Sequence, residues 1–226
     1  MNASPNFDKR PPRTPIDMLV IHYTGMETAE AALERLCDPS AKVSAHYVID
    51  EDGAVIPLVE EDKRAWHAGV AFWRGQTDIN ARSIGIELVN PGHEFGYRDF
   101  TDFQMAALET LAADILSRHD IPARNVVGHS DVAPARKTDP GERFDWYRLA
   151  NAKIGLFPTG PGTFKENGPS VPDMLKEIGY ETSNITAAVT AFQRHFRPET
   201  IDGTIDGETT SLMKRMLELV AEPFHT

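Results

Sequence analysis

The sequence predicts an α/β protein: a mixed central β-sheet flanked by helices, followed by a small three-helix domain. Three observations carry this. Short apolar runs of strand length alternate with helix-period segments through the first 155 residues. A stretch rich in proline and glycine then interrupts both periods. Beyond it, three segments carry apolar residues at helical spacing. The expected division is therefore a first domain at 1–155, a linker at 156–169 and a helical domain at 170–226.

Taken in order, residues 16–25 contain an apolar run, read as a buried strand ending in His22, with Gly25 after it. Residues 27–37 read as a helix, with Ala31, Leu33 and Leu36 apolar among charges. Strands at 43–49 and 54–59 are joined by Glu51-Asp52-Gly53, a turn signal for a hairpin. Residues 83–89 are nearly all apolar except Glu87 and read as another strand. The strongest helix is 101–119, with Phe103, Ala107, Leu108, Leu111 and Ile115 on one face. Thr101 and Gln104 are placed to form its capping box, and Pro122 follows its end. Asn125-Val126-Val127 leads as a strand into Gly128-His129, and 145–153 reads as a short helix. The last three helices are expected at 172–178, 185–196 and 208–220. Ile185, Val189, Phe192 and Phe196 line the second; Leu212, Met213, Met216, Leu217 and Val220 line the third.

Composition narrows the partners. The 226 residues have room for one sizeable core plus a small extra domain, and a monomer is expected. A net charge of -11 argues against nucleic acid or an anionic membrane surface, which need clustered Lys and Arg. No transmembrane segment is expected, because no apolar run approaches the required length. The first residues lack the apolar core of a secretory signal, which makes a cytoplasmic protein the expectation. A periplasmic or outer-membrane-anchored protein is the alternative if a leader has been removed. Cys37 is the single cysteine, so no intramolecular disulfide framework exists, and a small hydrophobic role on its helix is expected.

The chemistry concentrates in one loop. Gly128-His129-Ser130-Asp131-Val132-Ala133-Pro134-Ala135-Arg136-Lys137-Thr138-Asp139-Pro140-Gly141 packs an imidazole, a lysine and two carboxylates ahead of a Pro-Gly turn. His129 and Asp139, ten residues apart, suit zinc, with Lys137 left to stabilise negative charge. An ion-paired turn is the competing interpretation. His22 strengthens the metal reading, because it too terminates an apolar strand. Two histidines, one carboxylate and an open fourth position form a catalytic zinc arrangement if the two strands are neighbours, which the local pattern alone leaves open.

Five segments occur in one order: His22-Tyr23-Thr24-Gly25, Ser44-Ala45-His46-Tyr47-Val48-Ile49, Asp62-Lys63-Arg64-Ala65-Trp66-His67-Ala68-Gly69, Ser83-Ile84-Gly85-Ile86-Glu87 and the 128–141 loop. Together they resemble the zinc N-acetylmuramoyl-L-alanine amidases of the type 2 amidase family, and most of all its bacterial AmpD/AmiD group. The resemblance covers roughly 14–150. It implies one Zn2+ ion on His22, His129 and Asp139, with Glu87 and Lys137 as the catalytic pair. Glu87 is then the proton acceptor for an attacking water, and Lys137 the partner of the developing oxyanion. By itself Glu87 also fits an inner-face carboxylate neutralised by a structural Arg or Lys. Trp66 and His67 are expected to touch substrate, the alternative being packing beneath the 69–75 loop. His46 is expected to be structural or to orient a ligand, and Asp131 and Arg136 to hold the loop. His93, His119, His195 and His225 are expected to be solvated.

Residues 168–221 resemble the peptidoglycan-binding-like three-helix module, on Ala188-Val189-Thr190-Ala191-Phe192-Gln193-Arg194-His195-Phe196 and the following Asp202-Gly203 and Asp206-Gly207 turns. The calcium spacing of an EF-hand is absent there. The implied partner is peptidoglycan or a muropeptide. The implied reaction is hydrolysis of the amide between muramic acid (MurNAc or 1,6-anhydroMurNAc) and L-alanine. A non-catalytic peptidoglycan recognition protein and a two-carboxylate glycosidase using Glu87 and Asp139 are the alternatives. A binding module favours polymer, whereas a missing signal favours soluble anhydromuropeptides. The helical domain is expected to aid polymer engagement, so that a chain ending near Lys153 keeps turnover. The alternative is that it packs on the first domain and helps it fold.

Overall fold

The structure, a computed structural model, describes residues 3–162 and 168–222. Part of the expected linker, and His225, lie outside these residues. In chain order the elements are β1 (Phe7–Lys9), β2 (Met18–Tyr23), α1 (Ala29–Cys37), β3 (Tyr47–Ile49), β4 (Val55–Pro57), β5 (Lys63–Ala65), α2 (Ile79–Arg82), β6 (Ser83–Leu88), α3 (Gly92–Phe95) and α4 (Asp102–Arg118). After them come β7 (Val126–Gly128), α5 (His129–Val132), α6 (Trp146–Asn151), α7 (Val171–Ile178), α8 (Ile185–Phe196) and α9 (Gly207–Ala221).

The main sheet has the order β4-β3-β6-β2-β7. All neighbours in it are parallel except the β3–β4 hairpin, which turns through the expected Glu51-Asp52-Gly53 region. β1 and β5 form a separate antiparallel pair. The expected mixed α/β architecture is therefore present. β2 is covered on both faces, and its alternate residues divide accordingly. Leu19 and Ile21, with Ile84, Ile86 and Leu88 of β6, pack against Met105, Leu108, Ala112 and Ile115 of α4 and against Trp146 and Leu149 of α6. Met18 and Val20, with Val127 of β7, face the opposite way.

The capping box of α4 forms as expected: Thr101 Oγ1 accepts from the Gln104 amide and Gln104 Oε1 accepts from the Thr101 amide, both at 3.1 Å. Its buried face is rotated from the expected one. Phe103 is 71% exposed, and Gln104, Met105, Leu108, Ala112 and Ile115 point inward. The physical reason is the polar anchor at the helix start, where Gln104 Nε2 donates to the carbonyl of Val89 at 2.8 Å. That bond turns Gln104 toward the sheet and Phe103 away from it.

The three C-terminal helices do not close a core on themselves alone. Met174, Leu175, Ile178, Tyr180, Val189, Phe192, Phe196, Met213 and Met216 share one apolar cluster with Met18, Val20, Trp73, Ile79, Val127 and Val132. Leu156 and Phe157, in the segment read as linker, pack against the same cluster. Arg74 ties the contact with polar bonds, donating from Nη1 to the carbonyls of Glu177 and Ile178 at 2.7 and 2.8 Å. One face of the sheet is thus covered by α4 and α6, and part of the other by the helical bundle. Among the described residues, no helix is long and apolar enough to cross a membrane.

A chain ending at Lys153 uncovers Trp73, Val127 and Val132, each now buried. Uncovering several large apolar side chains at about 1.5–3 kcal/mol each is expected to lower the melting temperature by at least about 10 °C or to make the product insoluble. Differential scanning calorimetry on the two chains checks this; equal melting temperatures would show that the shared core contributes little.

Candidate metal centre and catalytic cleft

Three parallel strands end at one place. β2 lies between β6 and β7, with His22 paired in register with Glu87 and Ile21 with Gly128. Side chains at matched positions of parallel strands share a face, so His22 and Glu87 stand side by side on the face opposite α4. His129 follows one residue after β7 as the first residue of α5. Asp139 is brought back to it by the loop, where the Ser130 amide donates to the Asp139 carbonyl at 2.8 Å.

The outcome is a tight triangle. Nδ1 of His22 lies 2.9 Å from Nδ1 of His129, and each lies 3.0 Å from Oδ2 of Asp139. All three residues are buried. Among the described residues this is the one group of His, Cys, Asp and Glu side chains arranged to hold a metal ion.

The protons on these rings can be assigned from their outer partners. Ser83 donates its only hydroxyl proton to the carbonyl of Ile79 at 2.7 Å. It must therefore accept from Nε2 of His67, 3.0 Å away. Burial pushes the His67 pKa well below the usual imidazole value, so the ring is neutral and its Nδ1 carries no proton. That Nδ1 accepts from Nε2 of His22 at 3.0 Å. Burial, reinforced by His129, lowers the His22 pKa to about 4, leaving its Nδ1 as a bare lone pair. His129 is fixed in the same sense, since its Nε2 donates to the carbonyl of Ala68 at 3.0 Å. Oδ2 of Asp139 faces both of these bare nitrogens at 3.0 Å.

Two nitrogen lone pairs and a carboxylate oxygen thus face one small space. Such a cluster is mutually repulsive without a cation among its members. The remaining ring atoms are held by Ser83, Ile79 and Ala68, the outer support that metal-ligating histidines require. His67 packs over β6 because position 85 lacks a side chain: a Cβ at Gly85 would stand 2.5 Å from Cγ of His67. His46 reinforces this stack, accepting from the Gly85 amide at 2.9 Å and meeting His67 edge-on.

A cleft of ≈ 590 Å³ opens beside the triangle, and its lining includes Trp66, His67, Glu87, His129, Lys137 and Asp139. Of the seven residues singled out in the sequence, only His22 is not at its wall; it lies just beneath. Glu87 has a buried Oε2 with no hydrogen-bond partner among the described residues. Burial raises its pKa well above the usual carboxylate value, Asp139 adds to this, and Lys137 opposes it. Trp66 donates from Nε1 to Asp8 of β1 at 2.7 Å. Arg136 holds the neighbouring loop, donating from Nη2 to the carbonyls of Ala68 and Val70 at 2.6 and 2.8 Å.

Three side chains at the site were not singled out in the sequence. Ser83 sets the tautomer of His67, Tyr23 bonds His93 and Thr138 at the rim, and Tyr97 donates to the Pro140 carbonyl at 2.7 Å. Tyr23 had a signal in its position directly after His22. The expectation of solvated histidines needs correction at two positions: His195 is 4% exposed and donates to Asp131, and His119 is half-buried against Glu61. His93 is exposed as expected, at the rim beside Tyr23 and Glu142.

Gly85→Ala is expected to displace His67, free the His22 ring and weaken metal binding about tenfold or more. Competition with a chromophoric chelator measures this on folded protein; unchanged affinity would remove His67 from the support of the centre.

The family model described as N-acetylmuramoyl-L-alanine amidase matches residues 12–142. The chain is 38% identical to the N-acetylmuramoyl-L-alanine amidase AmiD of Escherichia coli strain K12, over 90% of this chain and 83% of that protein. It is 36% identical to the 1,6-anhydro-N-acetylmuramyl-L-alanine amidase AmpD of Citrobacter freundii, over 65% of this chain and 85% of that one. Its structure is similar to that of Escherichia coli AmiD in complex with the substrate anhydro-N-acetylmuramic acid-L-Ala-D-gamma-Glu-L-Lys, with a TM-score of 0.78 at 35% identity, covering 90% of this chain and 89% of that one. The chain belongs to the N-acetylmuramoyl-L-alanine amidase family.

Proposed function

We propose that the chain is a zinc amidase that hydrolyses the bond between the lactyl group of MurNAc or 1,6-anhydroMurNAc and L-alanine, in peptidoglycan or soluble muropeptides. The observation that carries this is the triangle of unprotonated donors beside a partnerless glutamate in an open cleft. Edges of 2.9–3.0 Å are a few tenths of an ångström tighter than the roughly 3.3–3.6 Å that tetrahedral bonds of about 2.0–2.2 Å impose, so a small outward shift of the donors admits one ion, and two imidazoles with a carboxylate are a zinc set. A zinc ion there supplies Lewis acidity to the substrate carbonyl and to water.

The chain's own groups do the rest. Glu87 takes the proton of the attacking water on its free Oε2 and returns it to the leaving alanine nitrogen. A pKa raised by burial lets one carboxyl serve both steps near neutral pH. Lys137, on the same cleft, brings positive charge toward the carbonyl oxygen as that oxygen becomes negative. Trp66, its indole held by Asp8, offers an apolar plane to the sugar or lactyl methyl. Both nitrogens of His67 are committed to His22 and Ser83, so it meets substrate only through ring contact. The substrate bound to the related AmiD supports a muropeptide of this class.

The catalytic positions fall within 1–155. The 170–226 helices, reached through 156–169, form the part we assign to engaging polymeric peptidoglycan, which raises local substrate concentration without new contacts at the scissile bond.

Exhaustive chelation is expected to abolish release of the stem peptide from a muropeptide, followed by mass spectrometry, and added zinc to restore it. Turnover that survives verified zinc loss would overturn the metal reading. Glu87→Gln is expected to keep its zinc and substrate affinity while kcat falls by about 10²–10⁴; a near-normal kcat would move the proton transfer to another group.

A further inference from the structure

The metal-bearing turn is held from outside the catalytic part. Asp131 lies in α5, two residues after His129, and is 0% exposed. Its Oδ2 accepts from the amide of Gly128, the residue before His129, at 2.7 Å. The same oxygen accepts from Nδ1 of His195 in α8 at 2.7 Å, and Oδ1 accepts from the hydroxyl of Tyr180, just after α7, at 2.7 Å. A buried carboxylate therefore has one bond to its own turn and two to the C-terminal bundle.

Both bundle groups are rigidly seated. The His195 ring is stacked between Trp146 and Phe196, with centroids 3.8 Å from each. Tyr180 is 1% exposed and meets Trp73 and Phe192 edge-on. The interface around them is otherwise largely apolar. A polar network in such surroundings contributes geometric selectivity more than bulk stability, because only one arrangement gives Asp131 all three of its bonds, even though Nε2 of His195 is left without a partner among the described residues. Here the arrangement it selects is that of α5. This turn carries His129 at its start, and its Ser130 amide holds the Asp139 carbonyl, so two of the three triangle residues depend on it.

We propose that Tyr180 and His195 are positioning residues of the metal centre: acting through Asp131, they fix the turn that presents His129 and Asp139, and so couple docking of the C-terminal bundle to metal affinity. This rests on the zinc amidase reading above. It adds to the bundle a role separate from polymer engagement and from bulk stabilisation of the fold. No reacting atom is touched by either residue.

The test uses the full chain. Tyr180→Phe removes one oxygen and keeps the ring packing, His195→Leu removes the donor, and His195→Asn keeps an N–H near the Nδ1 position. Met213→Ala, in the bundle core, serves as a purely structural control. Zinc affinity is read by chelator competition at a temperature where every variant is folded, together with melting temperature, kcat and KM. Tyr180→Phe and His195→Leu are expected to weaken zinc binding about tenfold or more, with a lower kcat and a KM near that of the parent. His195→Asn is expected to regain most of the affinity, and Met213→Ala to melt earlier while binding zinc normally. If Tyr180→Phe and His195→Leu melt earlier yet bind zinc as the parent does, or if Met213→Ala weakens zinc equally, the positioning role is overturned. A parent chain that takes up no zinc overturns the metal reading itself, an outcome distinct from variants that match a zinc-binding parent.

Discussion

The parallel pairing of β2 with β6 on one side and β7 on the other is the constraint on which the remainder depends. It brings together side chains 107 and 117 positions apart in the chain and sets them within 3.0 Å. Side chains alternate along a strand, so a one-residue slip in either ladder would turn His22 or Glu87 toward α4. Slippage is opposed because β2 is buried on both faces, with Leu19 and Ile21 committed to α4 and α6 and Met18 and Val20 to the other layer. The position of the cleft follows from the same geometry. In parallel sheets the loops after the strand ends are free to converge, and here they deliver an imidazole, a carboxylate and a lysine to one edge.

The site is electrostatically unusual for a buried cluster. Burial keeps His22 and His67 neutral, while the same burial raises Glu87. One physical cause thereby prepares opposite chemistries: a His22 imidazole with a free lone pair on one side, and a carboxyl able to carry a proton on the other. Lys137 enters from the loop and works against the raising of Glu87, so the balance is tuned by a residue at the cleft wall. The strand that carries Glu87 also carries Ser83 and Gly85, which set the proton on His67 and make room for its ring. Alternate positions of β6 thus serve the chemistry and the remaining ones the core.

Much of this was legible from residue types. His22 and His129 each follow an apolar run, and the 128–141 loop combines the right groups with turn residues at its end. The capping box of α4 was equally plain from Thr101 and Gln104. What the local pattern does not contain is which strands adjoin, since no short-range signal links residue 22 to residue 129; the resemblance of five ordered motifs supplied that. Phe103 was placed on the wrong face because an alanine-rich helix has an ill-defined apolar stripe, and the choice fell to a polar bond of Gln104. His195 was read as solvated from its place near a helix end, outside the first domain. Its spacing from Ala188, Ala191 and Phe192 is nevertheless that of one buried face, and Asp131 is the partner that makes burial tolerable. The double commitment of His67 was hidden because its partner Ser83 opens an apolar strand, with Gly85 inside that strand as the only hint.

The two chains of donors that orient the imidazoles end on peptide carbonyls, one at Ile79 and one at Ala68. A main-chain carbonyl is present whatever residue occupies the position, so point mutation at those two sites cannot delete the acceptor. Sequence drift therefore meets the two imidazoles unequally. The orientation of His129 is anchored directly to backbone and is insensitive to the identity of its neighbour, whereas that of His22 passes through two replaceable side chains, His67 and Ser83. Homologous chains should diverge in how they support the first strand's histidine well before they diverge in how they support the second.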